Sequence, residues 1–164
     1  MYGLEMKLWL TATLWFSVTA TSKVLRLQSR SQLTLKKIVS DPTCEVCGLH
    51  EETQSHIFYH CDMAAQFWSR MAMNVPSDPT NLLSWNRPAS VAQEGFSSFV
   101  ALCHWQLWKA RNEKVFRQCT TGVQQILRQC SAVSVQWEAR LPPSKRHVVQ
   151  AWGQLFEAAR QGEG

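Results

Sequence analysis

Two cysteines, a histidine and a third cysteine carry the chemistry that can be read from this chain. Cys44 and Cys47 are separated by two residues, His56 follows after eight more, and Cys61 after another four. Thiolate sulfur and imidazole nitrogen are the donors a structural zinc takes, and four of them complete a tetrahedron with no position left for water. A C-x2-C pair turns tightly enough to aim both sulfurs inward. Gly48, directly after Cys47, lets the backbone fold back beneath an ion because glycine tolerates positive φ. Cysteines are common core residues, but a histidine and a third cysteine so close by, in an otherwise polar segment, point to a single ion. His56 is the expected nitrogen donor. His50 and His60 are the rivals, but His50 lies too close to the Cys47 turn to close the far side of the site easily, and His60 is adjacent to Cys61, where neighbouring residues seldom aim at one ion.

These side chains need elements to hold them. The run from Glu51 to His60 reads as a short helix that carries His56 and ends near Cys61. Asp62 is a plausible N-cap for the next helix, which places Met63, Phe67 and Met71 on one stripe beside Ala64 and Trp68. Prolines, asparagines and serines from Asn74 to Pro88 mark an irregular connection. Ser90 and Gln93 form a possible capping box for a long helix reaching about Arg117. Its apolar line is Phe96, Phe99, Cys103, Leu107 and Ala110. A second line, Trp105, Trp108 and Val115, predicts packing on two sides. A further helix spans Val123 to about Leu141, Pro142-Pro143 stops it, and a last one covers about 145–160. The expected fold is mainly α, a small zinc-binding module followed by an antiparallel helical bundle. The expected organisation is a divergent N-terminal segment at 1–30, the zinc-binding module at 31–73, a linker at 74–89 and the helical bundle at 90–164.

The cysteine and histidine segment resembles the zinc-binding region that follows the reverse transcriptase in plant non-long-terminal-repeat retroelements. The shared positions are Cys44, Cys47, Gly48, Glu51, Glu52, Thr53, His56, Ile57, Phe58, Cys61, Ala64 and Trp68. Downstream, Trp105 to Phe116 resembles the W-x-x-W-K-x-R-N helix that often follows in those proteins. The resemblance implies one structural zinc on Cys44, Cys47, His56 and Cys61. It also implies non-catalytic engagement of nucleic acid, RNA or DNA, as an accessory piece of a retrotransposon-derived polyprotein.

Composition bounds the alternatives. Hydrophobic residues make up 45% and charged ones 18%, enough to fold a core, and eight tryptophans give that core an aromatic character. The net charge is +5, yet residues 44–73 carry one arginine against four acids, so phosphate contacts would come from the flanks. Residues 22–39 read as a basic amphipathic helix holding Lys23, Arg26, Arg30, Lys36 and Lys37. Clustered carboxylates for two-metal nuclease or polymerase work are absent, since Asp41, Asp62 and Asp78 stand singly. No phosphate-binding glycine loop or nucleophile motif is present either, so the expectation is no enzyme activity. A zinc-stabilised helical scaffold that binds protein is the alternative function. Reduced thiols fit a nuclear or cytoplasmic setting. Residues 1–20 hold a short apolar run, LWLTATLWFSV, too short to span a bilayer. It is expected to be buried, with a signal peptide and a secreted, disulfide-bonded protein as the alternative.

Overall fold

The computed structural model describes residues 28–162. The apolar run within 1–20, its signal-peptide alternative and the basic stretch 22–27 lie outside the described residues. The elements are α1 (Arg30–Leu35), a π-helical turn (His56–His60), α2 (Asp62–Arg70), α3 (Phe96–Arg117), α4 (Val123–Glu138) and α5 (Pro143–Gln161). Short 3-10 turns lie at Leu82–Ser84 and Gln93–Gly95. The described residues contain no strand, only an isolated antiparallel bridge between Thr43 and Glu51. The fold is mainly helical, with the cysteine and histidine cluster ahead of the packed helices.

α4 and α5 form a helical hairpin. Its partners step backward along one helix as they advance along the other. Glu138 accepts from Gln150 Nε2 at 2.7 Å, Gly153 meets Ser134 and Glu157 meets Ser131. α4 ends at Glu138, short of the expected Leu141 and ahead of the two prolines. Pro143 opens α5 at its first helical position, where a missing amide hydrogen costs nothing. Ile126, Leu127 and Cys130 face Val149, Trp152 and Phe156 within the core.

α3 is the spine, and it is buried on two sides. Its expected line, Phe96, Phe99, Cys103, Leu107 and Ala110, is buried, with Phe99 stacked on Phe156 at 5.2 Å. The expected second line is not the second buried side, since Trp105 stays 43% exposed and Trp108 and Val115 are only half-buried. The second side is instead marked by His104 and Arg111, two polar residues seven positions apart, both buried. Apolar periodicity cannot register a face built from polar groups whose partners lie far away in sequence.

Helix ends also differ from expectation. Ser90 and Gln93 form no capping box, because Gln93 Oε1 accepts from Arg87 Nε at 2.9 Å. Gly95 precedes α3 where a Cβ would come within 3.0 Å of Trp152, so glycine is needed for close approach to α5. α3 closes on Gln118 in the left-handed region at φ 55, ahead of Thr121 and Gly122. Cys61 rather than Asp62 is the N-cap residue of α2, and Asp62 sits in the first turn, where an acid favours the helix dipole.

Residues 74–89 are irregular, as expected, but they are packed. Trp85 is buried against Trp68 at 4.9 Å, and Asn86 Nδ2 donates to Ala72 O at 2.8 Å. One apolar cluster runs from Cys44 and Phe58 through Trp68, Trp85 and α3 to Phe156. The cysteine and histidine segment and the bundle therefore share a core. The described part of the basic stretch is a six-residue helix capped by Ser29, which accepts from Gln32 N.

Candidate metal centre

Three local devices bring the four candidate donors together. The first is the turn holding Cys44 and Cys47. Gly48 N donates to Cys44 O at 2.7 Å and Cys44 N to His50 O at 2.8 Å. Gly48 adopts φ +68, and a Cβ placed there would meet nothing within 4 Å, so backbone conformation alone asks for glycine. The turn closes where Glu52 N donates to Pro42 O at 2.9 Å.

The second device is the π-helical turn. Cys61 N donates to His56 O at 2.7 Å, a bond spanning five residues. In an α-helix, residues five apart point about 140° away from each other around the axis. The wider π turn narrows that angle, which turns His56 and Cys61 toward one side. Thr53 Oγ1 accepts from His56 N at 3.0 Å and fixes the start of the turn. The third device is the N-terminus of α2, where Cys61 is the cap. Trp68 Nε1 donates to Phe58 O at 2.8 Å from a fully enclosed indole, locking α2 onto the π turn.

The donor atoms of Cys44, Cys47, His56 and Cys61 all lie within 4.8 Å of one another. Cys47 Sγ and His56 Nε2 are 3.4 Å apart. Tetrahedral zinc bonds of about 2.0–2.3 Å separate neighbouring donors by about 3.3–3.8 Å, and the Cys47–His56 pair falls in that range. Cys44, His56 and Cys61 are buried and Cys47 is half-buried. The rivals are set aside by position: His50 and His60 are both exposed and neither belongs to the cluster.

Electrostatics agree with a cation site. A hydrogen bond from Cys61 holds Cys44 down to about 4 against burial, helped by the amides of Cys47 and Val46. The same bond, together with burial, pushes Cys61 well up, while the Met63 amide opposes that rise. Three sulfurs crowded this closely repel as they deprotonate, and a divalent cation is the group that relieves them. The amides of Val46, Cys47 and Met63 aimed at sulfur are the supporting contacts such sites use to orient ligands. All six cysteines are free, including Cys103, Cys119 and Cys130 away from the cluster.

A buried ion pair missed by sequence reasoning ties this centre to α3. Glu52 is fully buried; its Oε1 accepts from Arg111 Nη2 at 2.5 Å and its Oε2 from Arg111 Nε at 3.1 Å. Glu52 Oε1 also accepts from Arg30 N at 2.9 Å. Arg111 in turn lies over Trp108, 5.1 Å from the ring centroid. Arg30, expected on a basic face, pairs with Glu45 and donates to Asp41 O, so its charge is spent inside the module. Glu52 and Arg111 each fall within one of the two sequence motifs, but nothing in their 59-residue separation links them. Two turns earlier on α3, His104 fits among Phe58, Tyr59 and Trp68 at 4.8–5.8 Å, and burial lowers its pKa to about 3.

Residues 7–68 match the protein family described as zinc-binding in reverse transcriptase. The match includes all four donors and ends on Trp68, so it covers the zinc-binding module and not the helices after it. No curated protein and no solved structure matches the chain. Among the described residues, no helix is long and apolar enough to cross a membrane.

Proposed function

We propose that the chain is a non-catalytic accessory module in which one structural zinc, held by Cys44, Cys47, His56 and Cys61, shapes a surface that engages nucleic acid. The observation that carries this reading is the family match across a buried Cys3His donor set. Four protein donors leave no open position for an activated water, which favours a structural over a hydrolytic ion. The net charge of +5 supports a polyanionic partner. Several cations remain exposed, among them Lys109, Arg128, Arg140 and Lys145.

The test is binding of the full, zinc-loaded chain to short RNA and DNA oligonucleotides over a range of salt. Affinity that falls linearly on a log–log plot is the expected result, because bound cations release counterions. Absent or salt-indifferent binding would overturn the nucleic-acid part and leave the protein-binding scaffold. Stoichiometric zinc in protein purified under reducing conditions tests the metal part separately.

A further inference from the structure

The exposed cations are not spread evenly. At the turn joining α4 to α5, Arg140, Lys145, Arg146 and His147 are all exposed, and residues 139–156 contain no acid. Of the acids that flank this stretch in sequence, Glu138 accepts from Gln150 and Glu157 from Arg160, while Glu94 adjoins Gly95, which packs against Val148. Arg146 Nε donates to Leu141 O at 3.0 Å, so one guanidinium is fixed across the turn. Pro142 and Pro143 stiffen the same turn. The cations also stand where they oppose local stability. α5 has no acid in its first turn, and Lys145 and Arg146 lie at the helix end whose dipole repels positive charge. A bound anion would remove that conflict.

We propose that this turn is where the phosphate backbone of a nucleic acid docks, an inference that rests on the function proposed above. One feature selects nucleic acid over an anionic membrane. The turn bears no exposed large apolar residue, the nearest being Val135 at 61% exposure, and an interfacial helix needs such residues to enter lipid. Arg140, Lys145 and Arg146, all exposed within one short turn and with no acid among residues 139–156, offer positive charge to the phosphates of a polyanion. The basic stretch singled out in the sequence is the weaker candidate: Arg30 is paired, and only Lys36 and Lys37 remain exposed on its described part.

Two double variants remove the same charge at different places. Arg140→Gln with Lys145→Gln removes two cations from the turn while keeping Arg146 on Leu141 O; Lys36→Gln with Lys37→Gln, the α1 variant, removes the two that directly follow α1. Each full chain, zinc-loaded and checked for unchanged far-UV signal, is titrated with oligothymidylate and oligouridylate of about 20 nucleotides across a salt series. The expected result is a log–log salt slope reduced by about 1.4 for the turn variant, from two single-strand phosphate contacts. The α1 variant keeps nearly the parent slope. Equal reduction in both, or no change in the turn variant while the parent binds, overturns the inference and leaves the proposed function standing. A parent chain that binds neither oligonucleotide overturns both. Parent binding to phosphatidylserine vesicles that the turn variant loses, with oligonucleotide binding intact, also overturns it.

Discussion

The zinc-binding segment from Pro42 to Cys61 and the α4–α5 hairpin are stabilised by opposite means. In the segment two polar side chains, Glu52 at 0% and His56 at 5%, are buried beside the candidate donors Cys44 and Cys61, each 1% exposed. Its backbone closes through scattered bonds such as Cys44 N to His50 O, with Ile57 and Phe58 as its apolar contribution. The hairpin satisfies its amides within helices and buries Ile126, Leu127, Trp152 and Phe156 at 0–2%. Each such side chain is worth about 1.5–3 kcal/mol. The contrast teaches that the segment holds its shape only while its donors are satisfied, whereas the hairpin depends on area. α3 joins the two regimes, with Phe99 on one side and His104 and Arg111 on the other.

Removing the metal breaks the comparison most severely. Cys61→Ser, or a chelator, is expected to abolish zinc binding and withdraw on the order of 10 kcal/mol from the segment. Far-UV and hydrogen-exchange measurements should show residues 42–70 opening while α4 and α5 stay protected. Because Phe58 and Trp68 cover His104, the thermal midpoint of the remaining helices should fall as well. Unchanged metal content in Cys61→Ser would remove the site assignment.

The ion pair between the regions comes next. Glu52→Gln leaves Arg111 buried without its counter-charge, a loss of about 3–5 kcal/mol in urea unfolding. Replacing both partners, Glu52→Gln with Arg111→Met, should recover much of that loss, since the cost lies in the uncompensated charge. A double variant as unstable as the single one would mean that the pair contributes its own net attraction.

A smaller effect separates the regions by pH. His104 has an ordinary value of 6.5, and burial lowers it to about 3 in the fold. The unfolded chain therefore takes up a proton below about 6.5 that the folded chain refuses. Stability from this residue is complete above that pH and falls by about 1.4 kcal/mol per unit as pH drops toward 3. His104→Phe should flatten this part of the pH profile relative to the parent, with zinc present in both. Parallel profiles would show that the metal donors alone set the acid limit.

Much of this was legible in sequence, for reasons that follow from the same contrast. The donors could be read because metal coordination imposes spacing on a short stretch, and the helices because burial imposes a 3.6-residue period. His56 could be preferred over His50 and His60 from spacing, but the π turn that orients it has a five-residue bond no propensity announces. His104 and Arg111 were missed because their partners, Phe58 and Glu52, arrive from another part of the chain. Arg30 was read as a surface cation because its acceptors, Glu45 and Asp41, are brought to it only by the folded turn.

The finest test concerns the turn beneath the sulfurs. Gly48→Ala introduces a Cβ at φ +68 with no atom within 4 Å, so the cost is confined to backbone conformation. That cost is about 1 kcal/mol, or roughly a fivefold loss of zinc affinity in a chelator competition. Unfolding of α4 and α5 should not register it, since no contact of the hairpin changes. A zinc affinity equal to the parent's would show that the C-x2-C turn tolerates strain that the metal easily overcomes. A loss shared equally by the hairpin would show instead that the two regions respond as one cooperative unit, and that the contrast between them is one of composition rather than of stability.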